Sequence, residues 1–517
     1  MAQADPATPQ DHGFARVTAR GAAWSGAQVV VGKVAAAATI VAVSWFLTAP
    51  QVGAATLATT TAKFLSVIPV ACVTDVLIAH RVRIGRLAPH ARALAWSLAM
   101  LSAAIILAAI PVATTVFTEF PASQLAVLFA IAAVRPLAEA LTTVPLAQLR
   151  LRLLNRAIAT VDGLAQMVAA AGTTAMLALG VGPLAVVLNP SVAAGTKALG
   201  YARAEAASIA DGAPVPGTAL PRQARRIRRA LRRAVVTAGA GQYLHSVLDT
   251  LPMIALAPFV SGTEVGLFAF ALTLAAQTNV LVAYQLGAVL QPVLSHLGKD
   301  PERQRLAYVR ALSATAAVVV PVTALQAALA RPLFAAVFPE RWQDAATLFA
   351  ILSLWQGLYC AAAPTMAYFK AQGRFVAFMR WQGAQLVASA VVLPICADRW
   401  GAIGVSMGSL VLWGVGLPIA AAAACRTGSA FAGVALLRAL VTPWVTAAPV
   451  AAAAWWGSNR LMEHWPTAGA WIALLVMAPV AMAASVGVMR IAQPSVYAEL
   501  RSLFVRSAKT TPPAPPP

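Results

Sequence analysis

Long apolar runs alternate with short polar segments along almost the whole chain. A helix rising 1.5 Å per residue needs roughly 20 mostly apolar residues to cross a hydrocarbon core about 30 Å thick. Fourteen runs meet that length, at about 23–46, 56–79, 93–117, 123–147, 157–178, 182–203, 235–259, 264–294, 311–336, 345–369, 381–397, 402–424, 437–456 and 468–489. They are rich in Ala and Leu and lack the period-two alternation of a membrane barrel. The pattern therefore predicts an all-α polytopic membrane protein with about 14 transmembrane helices.

The polar segments between the runs alternate in charge. One set carries Arg81, Arg83, Arg86 and Arg92, then Arg150, Arg152 and Arg156, then Lys299, Arg303, Arg305 and Arg310, then Lys370, Arg374 and Arg380. The C-terminal tail adds Arg490, Arg501, Arg506 and Lys509 to this set. The opposite set holds only Arg341, Arg399 and Arg460, one per loop. Basic loops stay in the cytoplasm, so both termini are expected inside, which an even number of spans allows. The longest loop, 204–234, begins Gly/Pro-rich and ends "RQARRIRRALRR". It reads as a cytoplasmic linker whose arginines either hold anionic headgroups as a surface helix or simply anchor the topology.

The chain repeats itself across that linker. "WFLTAPQVGAATLA" at 45–58 aligns without a gap with "PFVSGTEVGLFAFA" at 258–271, matching Phe46 with Phe259, Gln51 with Glu264 and Gly53 with Gly266. Further on, "GVGPLAV" (180–186) resembles "RWGAIGV" (399–405), Pro145 matches Pro364, and Ala165–Gln166 matches Ala384–Gln385. Two six-helix copies with the same orientation follow, related by an axis along the membrane normal, as in transporters whose substrate path lies between halves. The expected organisation is a cytoplasmic tail (1–22), an N-lobe (23–203), the linker (204–234), a C-lobe (235–424), two accessory helices (425–489) and a Pro-rich cytoplasmic tail (490–517).

Composition agrees with the pattern. Hydrophobic residues make up 60% of the chain and charged residues 11%, against about 45–50% and about 25% in soluble domains. The net charge of +21 sits in loops flanking apolar runs, so it sets topology and does not point to nucleic acid. Cys72, Cys360, Cys396 and Cys425 have no metal-like spacing and read as small buried hydrophobes. The polar first twenty residues and the length of the first apolar run do not fit a cleavable signal. No nucleophile elbow, phosphate-binding loop or metal-spaced His/Cys cluster stands out, so neither an enzyme nor a cofactor is expected.

Several stretches resemble bacterial polysaccharide exporters, the lipid-linked oligosaccharide (O-antigen-type) flippases of the multidrug/oligosaccharidyl-lipid/polysaccharide flippase superfamily. They are "RGAAWSGAQVV" (20–30), "VLDTLPMIALAPFVSGTEVGLFAFAL" (247–272), "DPERQRLAYVRAL" (300–312), "RWQDAATLFAILSLWQGL" (341–358) and "AQGRFVAFMRWQGAQ" (371–385). The resemblance implies two pseudo-symmetric six-helix lobes around a central cavity, and alternating access. It implies a substrate, an oligosaccharide on undecaprenyl pyrophosphate, moved across the bacterial cytoplasmic (inner) membrane for exopolysaccharide or lipopolysaccharide biosynthesis. Membrane lipids, a polysaccharide polymerase and chain-length machinery are the partners such a role implies. Two features depart from the family pattern: Gln51 stands where an acidic residue is usual, and Thr74–Asp75 lacks the glycine that follows in the family.

Charges inside spans are the informative residues, because each costs about 2.5–3.5 kcal/mol near a helix centre. The first lobe carries Lys33, Lys63, Arg135 and Lys197 against Asp75, Glu139 and Asp162; the second has His245, Asp249 and Arg331. A crossing pyrophosphate needs cations to offset its desolvation. Lys33 and Arg135 are expected to hold it at mid-membrane and Lys197 to capture it near the cytoplasmic mouth. The structural alternative is that these cations pair with Glu139, Asp75 or Asp162 to lock helices together. His245 and Asp249, four apart on one helix face, are the ion-coupling candidates, since a histidine changes charge near pH 6.5; a static hydrogen bond is the alternative. Trp45, Trp342, Trp355, Trp400 and Trp465 read as interfacial anchors, and Pro190 and Pro321 as hinges or kinks.

Three functions compete. A lipid-linked oligosaccharide flippase fits best. A drug/cation antiporter or a lipid II flippase would use the same scaffold, but the first lobe's four cations against three acids argue against a cation exporter. A membrane polymerase or ligase would need a sizeable outer loop, and every outer loop is short.

Overall fold

The computed structural model describes residues 32, 34–67, 73–74, 77, 84–116, 121–152, 154–210, 243–244, 246–277, 290, 294, 297, 300–425, 430–494, 496–498 and 501. Regular structure among them is entirely helical. The chain divides into two compact units, Met1–Thr250 and Leu251–Pro517.

The first unit contains α1 (Val34–Phe46), α2 (Ala49–Val67), α3 (Ile84–Ala108), α4 (Ile110–Val116), α5 (Ala122–Ala132), α6 (Val134–Leu151), α7 (Asn155–Ala178) and α8 (Leu184–Ala210). The helix α9 (Ser246–Leu256) begins in it. The second unit continues with α10 (Gly262–Ala275), α11 (Pro301–Ala328), α12 (Ala330–Val337), α13 (Ala345–Ala361), α14 (Ala363–Ala371), α15 (Phe375–Ala424), α16 (Ala430–His464), α17 (Pro466–Ile472) and α18 (Ala478–Ala492). A π-helical turn, Ala473–Met477, joins α17 to α18.

Seven helices among the described residues are long and apolar enough to cross a membrane: Ala88–Thr115, Ala122–Leu151, Pro301–Ala328, Ala345–Ala371, Val376–Ala424, Val434–His464 and Pro466–Ala492. The protein is thus a multi-pass membrane protein. The 49-residue stretch Val376–Ala424 is two spans, because Gly401 breaks α15 with a left-handed φ of 57°. Only glycine enters that region without a Cβ clash, and the break falls where the sequence separated 381–397 from 402–424. Apolar side chains at helical spacing stay exposed along this segment, with Val387, Val391 and Ile395 before the break and Met407, Val411, Val415 and Ile419 after it. Such stripes suit a lipid-facing surface.

Small residues set the packing of the first unit. Ala91, Ala95 and Ala99, one helical turn apart on α3, are fully buried against Ala140, Val144 and Ala147 of α6. With no hydrophobic drive between helices in lipid, close approach through small residues supplies the dispersion contacts. Helices α7 and α8, at 24 and 27 residues, are long enough to span but too polar to join the seven. Their polar groups meet each other: Asn189 Nδ2 on α8 donates to Thr173 Oγ1 at 2.7 Å and to the Ala169 carbonyl at 3.2 Å on α7. In the second unit the terminal helices dock on α11, where Leu325, Ala328 and Leu329 pack with Ala454, Ala473 and Ala481.

The repeated hairpin folds alike in each unit. Helix α2 starts at Ala49 and α10 at Gly262, which are aligned positions. Phe46 and Phe259 are both exposed, while Val52 and Val265 are both buried.

Three details differ from the sequence expectations. Helix α2 begins at Ala49 and not near 56, because the polar turn "TAPQ" is its capped first turn: Gln51 Oε1 accepts from the Thr48 N–H at 3.1 Å. Trp342 and Trp355 are fully buried and so are not interfacial; Trp342 lies 4.2 Å from Phe270, ring centre to ring centre. Trp45, Trp400 and Trp465 are exposed. Helices α8 and α11 run through Pro190 and Pro321 without a break. Cys360, Cys396 and Cys425 are free thiols; Cys72 lies outside the described residues.

Candidate functional site

Six charged side chains on the first unit's helices form three ion pairs. Arg135 and Glu139 face the same way one turn apart on α6, with Nε to Oε1 at 2.8 Å, and both side chains are about four-fifths buried. Lys197 on α8 reaches Asp162 on α7, Nζ to Oδ1 at 3.0 Å, with side-chain exposures of 29% and 17%. The Tyr201 hydroxyl donates to the same Asp162 oxygen, so one carboxylate serves two donors of the next helix. Lys63 on α2 pairs with Asp249 on α9 at 2.8 Å. Beside that pair the rings of Phe64 and Tyr243 pack at a tilt, with centres 4.8 Å apart.

These geometries place three of the five residues singled out from sequence: Arg135, Lys197 and Asp249. Each sits in a separate ion pair, and among the described residues no ion pair joins one of them to another. Lys33 and His245 lie outside the described residues, as does Asp75. Sequence reasoning noted Lys63 but not its partner, which is 186 residues away. The Lys63 side chain is half exposed, the most accessible cation of the three pairs.

The pairing has a plain cause. An isolated charge in a low-dielectric environment is prohibitively costly, whereas a hydrogen-bonded pair offsets much of that cost. Removing one member leaves the other uncompensated, so these pairs tie α7 to α8 and α2 to α9.

Several charges in the second unit serve helix ends. Asp300 caps α11 by accepting from the Arg303 N–H at 3.1 Å. Arg374 donates from Nη1 to the Ala424 carbonyl at 3.0 Å and from Nη2 to the Ala423 carbonyl at 3.2 Å, satisfying the end of α15. Glu264, which the sequence showed only as the echo of Gln51, accepts from the Ala402 N–H at 2.6 Å. A crevice between α11, α13, α15 and α16, lined by Leu358, Leu417, Pro418, Val441 and Trp444, is apolar and offers nothing to a phosphate.

The helical architecture is shared with solved membrane transporters. A lipid II flippase, MurJ in an inward closed conformation, superposes with a TM-score of 0.67 at 11% identity, covering 94% of this chain and 99% of that one. A multidrug resistance MATE family transporter of the MOP superfamily superposes in its inward-facing form with a TM-score of 0.55 at 17% identity, covering 77% of this chain and 96% of that one. The outward-facing form of such a transporter gives 0.52 at 15% identity, covering 79% and 97%. At these identities the likeness establishes the fold. Within that class, the sequence profile of the family described as polysaccharide biosynthesis protein matches residues 42–347, more than half of the chain, and the protein belongs to that family. No curated protein matches the sequence.

Proposed function

We propose that the protein flips an undecaprenyl-pyrophosphate-linked oligosaccharide from the inner to the outer leaflet of the bacterial cytoplasmic membrane by alternating access. Family membership supports the polysaccharide substrate class, and the paired cations of the first unit carry the reading of the headgroup. A pyrophosphate leaving headgroup water needs Arg or Lys partners. Here Lys63, Arg135 and Lys197 each already have a carboxylate partner, so capture exchanges that carboxylate for the headgroup's phosphate. Exchange also keeps affinity modest, which release on the far side requires. Lys197 is assigned to capture, Lys33 and Arg135 to holding the pyrophosphate, and His245 with Asp249 to ion coupling. The cytoplasmic termini and the cytoplasmic basic linker 204–234 belong to the same proposal, as do the lobe boundaries at 203 and 235.

A lipid II flippase would present the same pyrophosphate chemistry, and the superposition on MurJ keeps that reading beside the first. Precursor analysis separates the two. Cells carrying Lys33→Gln with Arg135→Gln, at normal protein abundance, should accumulate lipid-linked oligosaccharide on the cytoplasmic side while lipid II stays at its usual level. Accumulation of lipid II instead would favour the second reading. Normal export by the double variant would refute the binding role of both cations.

A further inference from the structure

The two repeats part company at one turn. In the second repeat the chain breaks at Gly401 between the halves of α15, and the Glu264 carboxylate of α10 lies against that glycine, where a Cβ would collide with it. The same carboxylate takes the Ala402 N–H, the first donor of a helix whose opening N–H groups otherwise lack partners. The carboxylate therefore faces the positive end of a helix dipole and binds through a charge-assisted hydrogen bond. It ties the first hairpin of the repeat to the repeat's last helix.

The first repeat has the same turn without the tie. Gly182 aligns with Gly401 and also has a left-handed φ, 73°. Pro183 stands where Ala402 stands, and proline has no N–H to give. Gln51 stands where Glu264 stands, and its Oε1 turns back to the N–H of Thr48 in its own first turn. A Cβ on Gly182 would meet nothing within 4 Å. Donor and charged acceptor are thus both missing from the first repeat, and the space the carboxylate fills in the second is open.

We propose that Glu264 is a positioning residue that fixes the α10 hairpin to residues 402–424. The first repeat lacks this tie, so its α1–α2 hairpin moves against α8 during transport. The proposal rests on the transport reading only for the use of the motion; the tie itself is testable without substrate.

Spin labels at aligned positions read the asymmetry directly, in the full chain with its four cysteines replaced by serine. One pair is placed at Phe46→Cys and Val181→Cys, the other at Phe259→Cys and Trp400→Cys; all four native side chains are exposed. The first-repeat distance distribution should be broad or bimodal and the second narrow. Glu264→Ala should broaden the second, and Glu264→Gln, which keeps an oxygen acceptor, should restore much of its sharpness. Exchange of the Ala402 amide should quicken about tenfold or more in Glu264→Ala, the effect of losing a hydrogen bond to a charged group. Equally narrow distributions in the labelled chains with Glu264 intact would overturn the proposal, and that comparison needs no Glu264 variant to fold. A second-repeat distribution unchanged by Glu264→Ala would also overturn it. Failure of the substrate reading would show instead as normal precursor levels in the Lys33/Arg135 variant, with these distances unaffected.

Discussion

Replacing Asp162 tests whether the α7–α8 pair is a structural clamp, a substrate cation held in reserve, or both. Its Oδ1 is 3.0 Å from Lys197 Nζ and also accepts from Tyr201. At an effective dielectric of about 20, two unit charges at that distance attract by roughly 5 kcal/mol. Lys197 is 29% exposed, so solvent screens part of this, and loss of the carboxylate should cost about 3 kcal/mol, the lower end for breaking a buried pair. Asp162→Ala is therefore the worst single change, leaving a cation and a hydroxyl without their acceptor. Asp162→Asn keeps an acceptor for Tyr201 and should cost about 2 kcal/mol. Lys197→Gln should cost less again, because Asp162 retains the Tyr201 bond. The double variant Asp162→Asn with Lys197→Gln carries no charge and should recover to within about 1 kcal/mol of the parent, a coupling typical of contacting residues. Thermal unfolding of the purified chain in detergent ranks the four variants, and precursor accumulation in cells reads export. If the double variant is no more stable than Asp162→Asn alone, the electrostatic account of the clamp is wrong. If it is stable and exports normally, Lys197 does not capture the headgroup.

Other perturbations separate the remaining claims. Asp249→Asn should remove the pH dependence of transport between about pH 6 and 7, the range in which an unperturbed histidine titrates; an unchanged profile would exclude coupling through helix α9. Ala95→Leu forces a larger side chain into the fully buried α3–α6 contact and should destabilise by about 1–3 kcal/mol, read as a lowered Tm. Cysteine labelling at Gly212 from the cytoplasmic side only, and at Asn459 from the periplasmic side only, is expected from the basic-loop alternation; labelling of both from one side would overturn the topology.

Much of the architecture was legible because it rests on local patterns. Apolar run length marked the helices, and the Gly401 break coincided with a gap between runs. The repeat was visible in aligned residues that turn out to share burial, such as Val52 with Val265. What failed to show was long-range or local in another way. Helix α2 starts in a polar capping turn, so an apolar run could not mark its first residue. Trp342 belongs to a buried aromatic cluster, and a tryptophan's sequence neighbours do not distinguish a cluster from an interface. The partners of Lys63 and Glu264 lie more than a hundred residues away, beyond any helical spacing. The Glu264 contact had one signal in the sequence, the joint exchange of Glu264 for Gln51 and Ala402 for Pro183 between aligned repeats. Its meaning appeared only when the two turns were seen together.

Reconstitution tests the central claim most directly. The purified protein is placed in vesicles containing undecaprenyl-pyrophosphate-linked oligosaccharide with a fluorescent sugar, and an impermeant quencher or glycosidase is added outside. The account predicts that the protected inner-leaflet fraction becomes accessible in protein-containing vesicles, and that Lys33→Gln with Arg135→Gln abolishes this while vesicle integrity and protein content stay constant. Accessibility no greater than in protein-free vesicles, or equal in the parent and the double variant, would contradict it.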